Sequence, residues 1–182
     1  IPVPARNTDL SLGAAALEHF ADVVRFSLSL KELDGRVLHA QPEWREKVWP
    51  DHEQYLRGED LLLVWGDAVY ADTRVNPDGT IDITRWTRPQ HDGPPLRALT
   101  VLRWLQTLGG QRAGANETVA ADTLADAERL LRIDLALTVA RWREPSLDIW
   151  EEEPGHHYFT LRVSAAALTA GAKWLRAAGE LT

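Results

Sequence analysis

Asp92–Gly110 reads DGPPLRALTVLRWLQTLGG, and it decides the fold class. An acidic residue that can cap a helix comes first, then two prolines within the first turn, then a long apolar-periodic run closed by Gly109-Gly110. Proline suits the first turn because its missing N–H would be unpaired there anyway, and paired glycines stop a helix. Leu96, Leu99, Leu102 and Leu105 recur at i, i+3, giving the helix an apolar stripe.

Working outward, three more segments carry the same signature. LSLGAAALEHFADVVRFSLSLKEL (10–33) predicts a helix with Leu17, Phe20, Val24 and Phe26–Leu28 near helical spacing, and Thr8, Asp9 or Ser11 as cap. A third helix is predicted from about Val119 to Arg143, with Leu124, Leu130, Leu131, Leu135, Leu137 and Val139 as its apolar residues. A fourth is predicted from about Thr160 to Ala178. Between Asp34 and about Thr87 the helical signal breaks up at Pro42, Pro50 and Asn76-Pro77-Asp78-Gly79, and the β-prone TIDIT allows at most a short hairpin. So long an excursion in a helical protein is more often functional than a plain connector. The expected class is all-α, with function carried on loops.

Composition narrows what those loops serve. The 182 residues carry a net charge of −7 and no tract of basic residues, which disfavours nucleic acid and anionic membrane as partners. No run approaches the ~20 apolar residues of a membrane-spanning helix. With no cysteine there is neither a disulfide nor a thiolate metal site, and the compartment stays open: secreted, periplasmic and cytoplasmic locations are all compatible. There is no methionine, even at position 1, so the first residue is not expected to be the natural start of translation. Eight tryptophans exceed ordinary usage, and indole faces suit sugar rings as well as cores.

Two loop stretches carry the chemistry. In SLDIWEEEPGHHYF (146–159), Glu151–Glu153 follow Trp150 directly and stand close to Asp148. A carboxyl beside an indole loses solvation of its charged form, and neighbouring carboxylates disfavour another negative charge; both raise its pKa. A glutamic acid protonated near neutral pH is what a general acid needs, and Glu151, next to Trp150, is the natural candidate. The same residues would also serve as a solvated run flanking a helix. His156 and His157 are adjacent, so they point apart and suit one metal ion poorly. In RWTRPQHDGPPLRAL (85–99), Arg88 can bond a carboxylate or paired hydroxyls, and Gln90 and Asp92 suit sugar hydroxyls. A capped helix with Asp92 as N-cap, Arg88 paired to it and Trp86 as staple accounts for that stretch equally well.

Together and in this order, WTRPQHDGPPLRA (Trp86–Ala98) and DIWEEEPGHHYFT (Asp148–Thr160) resemble the two active-site loops of the family 15 glycoside hydrolases, the glucoamylases. The resemblance covers Trp86 to about Glu180; Ile1–Ile83 match only in layout. It implies an (α/α)6 barrel, of which this chain supplies four or five of twelve helices, so that residues 1–182 form part of a catalytic domain. It implies Glu151 as general acid, Asp148 as its support, and Trp86, Arg88, Trp150 and Glu152 as substrate-binding residues, with Gln90 and Asp92 in the polar framework. The implied activity is inverting release of β-D-glucose from non-reducing ends of α-1,4-glucans, without metal or other cofactor.

Departures from the pattern matter. Thr87 replaces a glycine, adding bulk beside Trp86, and Glu153 replaces an apolar residue. The family's W-x-R-D clamp is not found, and its general base is expected beyond Thr182. The remainder of the same catalytic domain is therefore an expected partner, or else self-association, since part of a barrel leaves apolar helix faces bare. Trehalose, dextran or isomalto-oligosaccharides are alternative substrates within the family. A non-catalytic glucan-sensing or regulatory module is the alternative outside catalysis.

Overall fold

A computed structural model describes residues 14–71, 74–84, 88–111 and 121–180. Three long helices dominate: α3 (Gly93–Gln111), α4 (Ala121–Arg141) and α5 (Tyr158–Ala177), preceded by α1 (Ala14–Ser29). α3 packs against both α4 and α5, and α1 lies against α4. The expected helices are thus present, with ends moved by a few residues. α1 stops at Ser29 and passes into a 3₁₀ turn at Leu30–Glu32, while α5 begins at Tyr158, two residues early. The expected caps Thr8, Asp9 and Ser11 lie outside the described residues.

The excursion after α1 is built from short turns. α2 (Gly35–Ala40) is followed by 3₁₀ turns at Pro42–Lys47, Pro50–Tyr55, Glu59–Leu63 and Gly66–Ala71. TIDIT makes isolated bridges and no strand: Val75 pairs with Ile81 around the Asn76–Gly79 turn, and Leu56 with Thr84. Arg57, fully buried, organises this region, donating from its backbone N to Ile83 O at 2.8 Å and from Nε to Thr84 O at 2.9 Å. Its guanidinium substitutes for a ladder that the irregular chain cannot form, since buried carbonyls need a donor.

The core differs from the expected i, i+3 stripe in an instructive way. On α3 the buried apolar residues are Ala98, Val101, Leu102 and Leu108, whereas Leu96 is exposed. A strict three-residue row drifts around a 3.6-residue helix, so the buried face alternates three and four. Phe20 of α1 stacks on Trp104 of α3 with ring centroids 4.6 Å apart. Gly171 lets α5 approach α4, because a Cβ there would sit 2.5 Å from Leu135 Cδ2.

An ion pair with a fully buried carboxylate ties these layers together. Arg97 on α3 donates to both carboxylate oxygens of Asp134 on α4, at 2.9 and 2.6 Å, and to Tyr70 O at 2.8 Å. Burial pushes the Asp134 carboxyl up, and the Arg97 hydrogen bonds and charge pull against it. On the outside, α4 and α5 leave an open groove of ≈ 570 Å³ lined by Arg132, Leu135, Val139, Leu168 and Leu175.

Candidate active site

The acidic stretch and the segment Arg88–Asp92 meet where α4 ends and α3 begins. The acidic stretch is a small hairpin: β1 (Ser146–Leu147) pairs antiparallel with β2 (Pro154–Gly155), leaving Asp148–Glu153 as its tip. The tip is braced from within. Asp148 N donates to Glu153 O at 3.1 Å and Glu151 N to Asp148 O at 3.0 Å. Glu152 N donates to Asp148 Oδ1 at 2.8 Å, and His157 Nε2 lies 2.7 Å from Glu153 O. His157 thus has a backbone partner in the hairpin and is also the residue preceding α5.

Within this bracing Glu151 takes a left-handed backbone conformation, φ 63°. That is uncommon outside glycine and costs on the order of 1–2 kcal/mol, so the surrounding bonds must hold it. The hydrogen bond from Glu152 N, together with the other amides facing it, holds the Asp148 carboxyl below its ordinary value. Asp148 is therefore an ionised acceptor at neutral pH and a loop support.

One expectation is overturned. Trp150 does not bury Glu151: the indole is 76% exposed and the carboxyl is exposed too. The four-residue turn closed by Asp148 leaves both side chains at the rim, where the hairpin alone gives the indole nothing to pack against. Glu152 and Glu153, which follow in the same tip, are exposed, and Tyr158 is exposed at the start of α5. Carboxylates and aromatic faces standing together in solvent suit a sugar ligand, whose hydroxyls bond to carboxylates and whose C–H faces stack on rings.

The second stretch joins the first directly. Leu147 N donates to Pro89 O at 2.8 Å, and His91 N donates to Ser146 Oγ at 3.1 Å. Arg88 precedes Pro89 through a cis peptide bond. Asp92 O accepts from Leu96 N at 3.1 Å, which puts Asp92 at the N-cap position of α3, and burial pushes its carboxyl up. Burial also pushes the His91 imidazole down, against the opposing influence of Glu144, 3.7 Å from Nε2. Trp86 and Thr87 lie outside the described residues.

Sequence reasoning missed two participants. Ser146 is buried to 2% exposure and its hydroxyl links the stretches, yet it stands outside the resemblance motif. Its only signal was a small polar residue two places before Asp148. His91 occupies the variable position between Gln90 and Asp92. Among the described residues no group of three or more His, Cys, Asp or Glu could hold a metal ion.

The sequence model described as glycosyl hydrolases family 15 matches residues 73–182. A glucoamylase of Blastobotrys adeninivorans is 33% identical over 100 residues, covering 52% of this chain and 16% of that protein. The intracellular sporulation-specific glucoamylase of Saccharomyces cerevisiae is 30% identical over 107 residues, covering 58% and 20%. In three dimensions the chain superposes on a Saccharomycopsis fibuligera glucoamylase with TM-score 0.66 at 19% identity, over 92% of this chain and 31% of that one. The chain spans less than a quarter of the length of these curated relatives. Its all-α fold is part of an (α/α)6 barrel.

Proposed function

Because the chain belongs to glycosyl hydrolases family 15, we propose that it builds the proton-donating side of a glycoside hydrolase active site, one that releases β-D-glucose from the non-reducing ends of α-1,4-glucans. The observation that carries this reading is the bonding of two loops, Arg88–Asp92 and Asp148–Glu153, into one rim through Pro89, His91, Ser146 and Leu147. Residues 1–182 are then part of a larger catalytic domain.

Glu151 is the general acid. It stands exposed at the hairpin tip with its backbone fixed by the Asp148 turn, free to reach a glycosidic oxygen. Donation of its proton lets the C1–O bond break, and the leaving sugar departs as an alcohol. Asp148 is unsuited to that role, because the hydrogen bond from Glu152 N holds its carboxyl ionised; it supports the loop instead. Trp150 offers an open indole face to a sugar ring, and Glu152, Arg88 and Trp86 bind hydroxyls or pack on the ring. Inversion needs a second carboxylate, roughly 6.5–9.5 Å from the acid, to activate water on the opposite face. We assign that base to a part of the domain outside this chain.

The test is proton NMR of the complete enzyme carrying this chain, mixed with maltotriose and followed from the first minutes at the anomeric doublets. β-glucose should appear first, and Glu151→Gln should abolish its release while substrate still binds. α-glucose first would overturn inversion; strong residual activity in Glu151→Gln would overturn the acid assignment.

A further inference from the structure

We propose that Ser146 is a positioning residue that sets the register of the acid-bearing hairpin against the Arg88–Asp92 segment; the inference rests on Glu151 being the proton donor. The reason begins with Pro89. Leu147 N reaches Pro89 O at 2.8 Å, but proline has no N–H with which to return the bond. The Leu147 carbonyl would be left without its donor, and the N–H of His91, two residues past Pro89, would be left without an acceptor.

Ser146 repairs both. Its Oγ donates to Leu147 O at 3.0 Å and accepts from His91 N at 3.1 Å. One hydroxyl has one proton to give and lone pairs to spare, so both bonds are made at once. At 2% exposure, no solvent stands ready to replace it. The hairpin is rigid within itself, through the β1–β2 pairing and the Asp148 turn. Its attachment to the Arg88–Asp92 segment is what Ser146 and Leu147 supply. Loss of the hydroxyl leaves the hairpin folded and lets it rock against that segment, moving Glu151 relative to a sugar held by the opposite loop. Misplacement of a catalytic group by an ångström is enough to cost rate.

A positional fault in the acid has a kinetic signature that simple loss of fold lacks. Maltose needs its leaving oxygen protonated; the fluoride of α-D-glucosyl fluoride leaves with little such help. In the complete enzyme, Ser146→Ala should lower kcat on maltose on the order of tenfold, with KM within about twofold and the rate on the fluoride nearly kept. Ser146→Thr, which keeps the hydroxyl, should restore most of the loss. Ser164→Ala on α5, a buried hydroxyl that makes no hydrogen bond to either segment, should leave the ratio of the two rates unchanged. Should the alanine variant not fold, Ser146→Cys keeps nearly the same shape with only a weak donor and acceptor, and carries the same comparison.

An equal loss on both substrates, or no loss on either, would overturn the positioning role while leaving Glu151 as acid. A wild-type enzyme that cleaves neither substrate, or a Glu151→Gln variant that cleaves maltose normally, would bring down the functional reading itself and the positioning role with it.

Discussion

The Asp148 carboxylate accepts the Glu152 amide at 2.8 Å, and the turn this closes fixes Glu151 in its left-handed conformation. Because that bond is made to the ionised form, folding lowers the Asp148 pKa below its ordinary 3.8. The bracing is therefore complete above pH about 3.8 and is lost as pH falls through the lower folded value. An NMR titration following the Glu152 amide should show a transition below that of a free aspartate. Asp148→Asn keeps an oxygen to accept the amide, so the amide should stay shifted while its acid transition disappears. A Glu152 amide that titrates at the free-aspartate value would refute the bracing.

Trp150 separates stability from function. At 76% exposure it contributes little buried surface to the fold, so Trp150→Ala should change unfolding stability by no more than about 0.5 kcal/mol. If its open face receives a sugar ring, the same variant should weaken glucan binding on the order of tenfold, as loss of an aromatic contact does. Chemical denaturation and calorimetric titration of the complete enzyme with an oligosaccharide measure the two. A variant that unfolds easily yet binds normally would put the indole in packing.

The contrast between Trp150 and Arg57 explains what the sequence made legible. Helices α3, α4 and α5 were readable because periodicity and their proline and glycine punctuation are local. The two loops were readable because their motifs run contiguously, though nothing in either motif says that Leu147 finds Pro89. Trp150 beside Glu151 suggested a shielded acid, but adjacency along the chain does not produce burial; only a packing partner does, and the hairpin provides none. Arg57 is the reverse case: a charged residue in an irregular, polar stretch reads as surface, yet it is fully buried because carbonyls from distant turns need its donors. Asp134 was hidden for the same reason, lying within an amphipathic helix where only the fold reveals Arg97 opposite.

That pair gives a stability prediction. Asp134→Ala would leave the partly buried Arg97 guanidinium with Tyr70 O as an acceptor but without its carboxylate. Removing one partner of a fully buried pair costs about 3–5 kcal/mol, and with 22% of the Arg97 side chain still exposed the low end of that range is expected. Replacing both, as in Arg97→Met with Asp134→Leu, should recover most of the loss, because the desolvation of two charges is removed as well. Urea unfolding of the single and double variants decides this. A double variant as unstable as Asp134→Ala would show that the ion pair adds net stability of its own.

His91 makes the rim sensitive to acid. Burial holds its imidazole below the ordinary 6.5, while Glu144, 3.7 Å from Nε2, and Asp92 act in the opposite direction and Arg141 acts with burial. A histidine depressed in the folded state binds fewer protons there than when unfolded, so stability rises with pH across the interval. Its contribution is complete above about 6.5 and is lost as pH falls through the folded value. The His91 Hε1 resonance should therefore titrate below that of a free histidine, and Glu144→Gln should lower it further by removing a favourable charge. His91→Gln should flatten the dependence of urea-unfolding stability on pH between the folded value and about 6.5. A His91 resonance titrating above 6.5 would mean that the Glu144 charge outweighs burial, and stability attributable to His91 would then rise as pH falls.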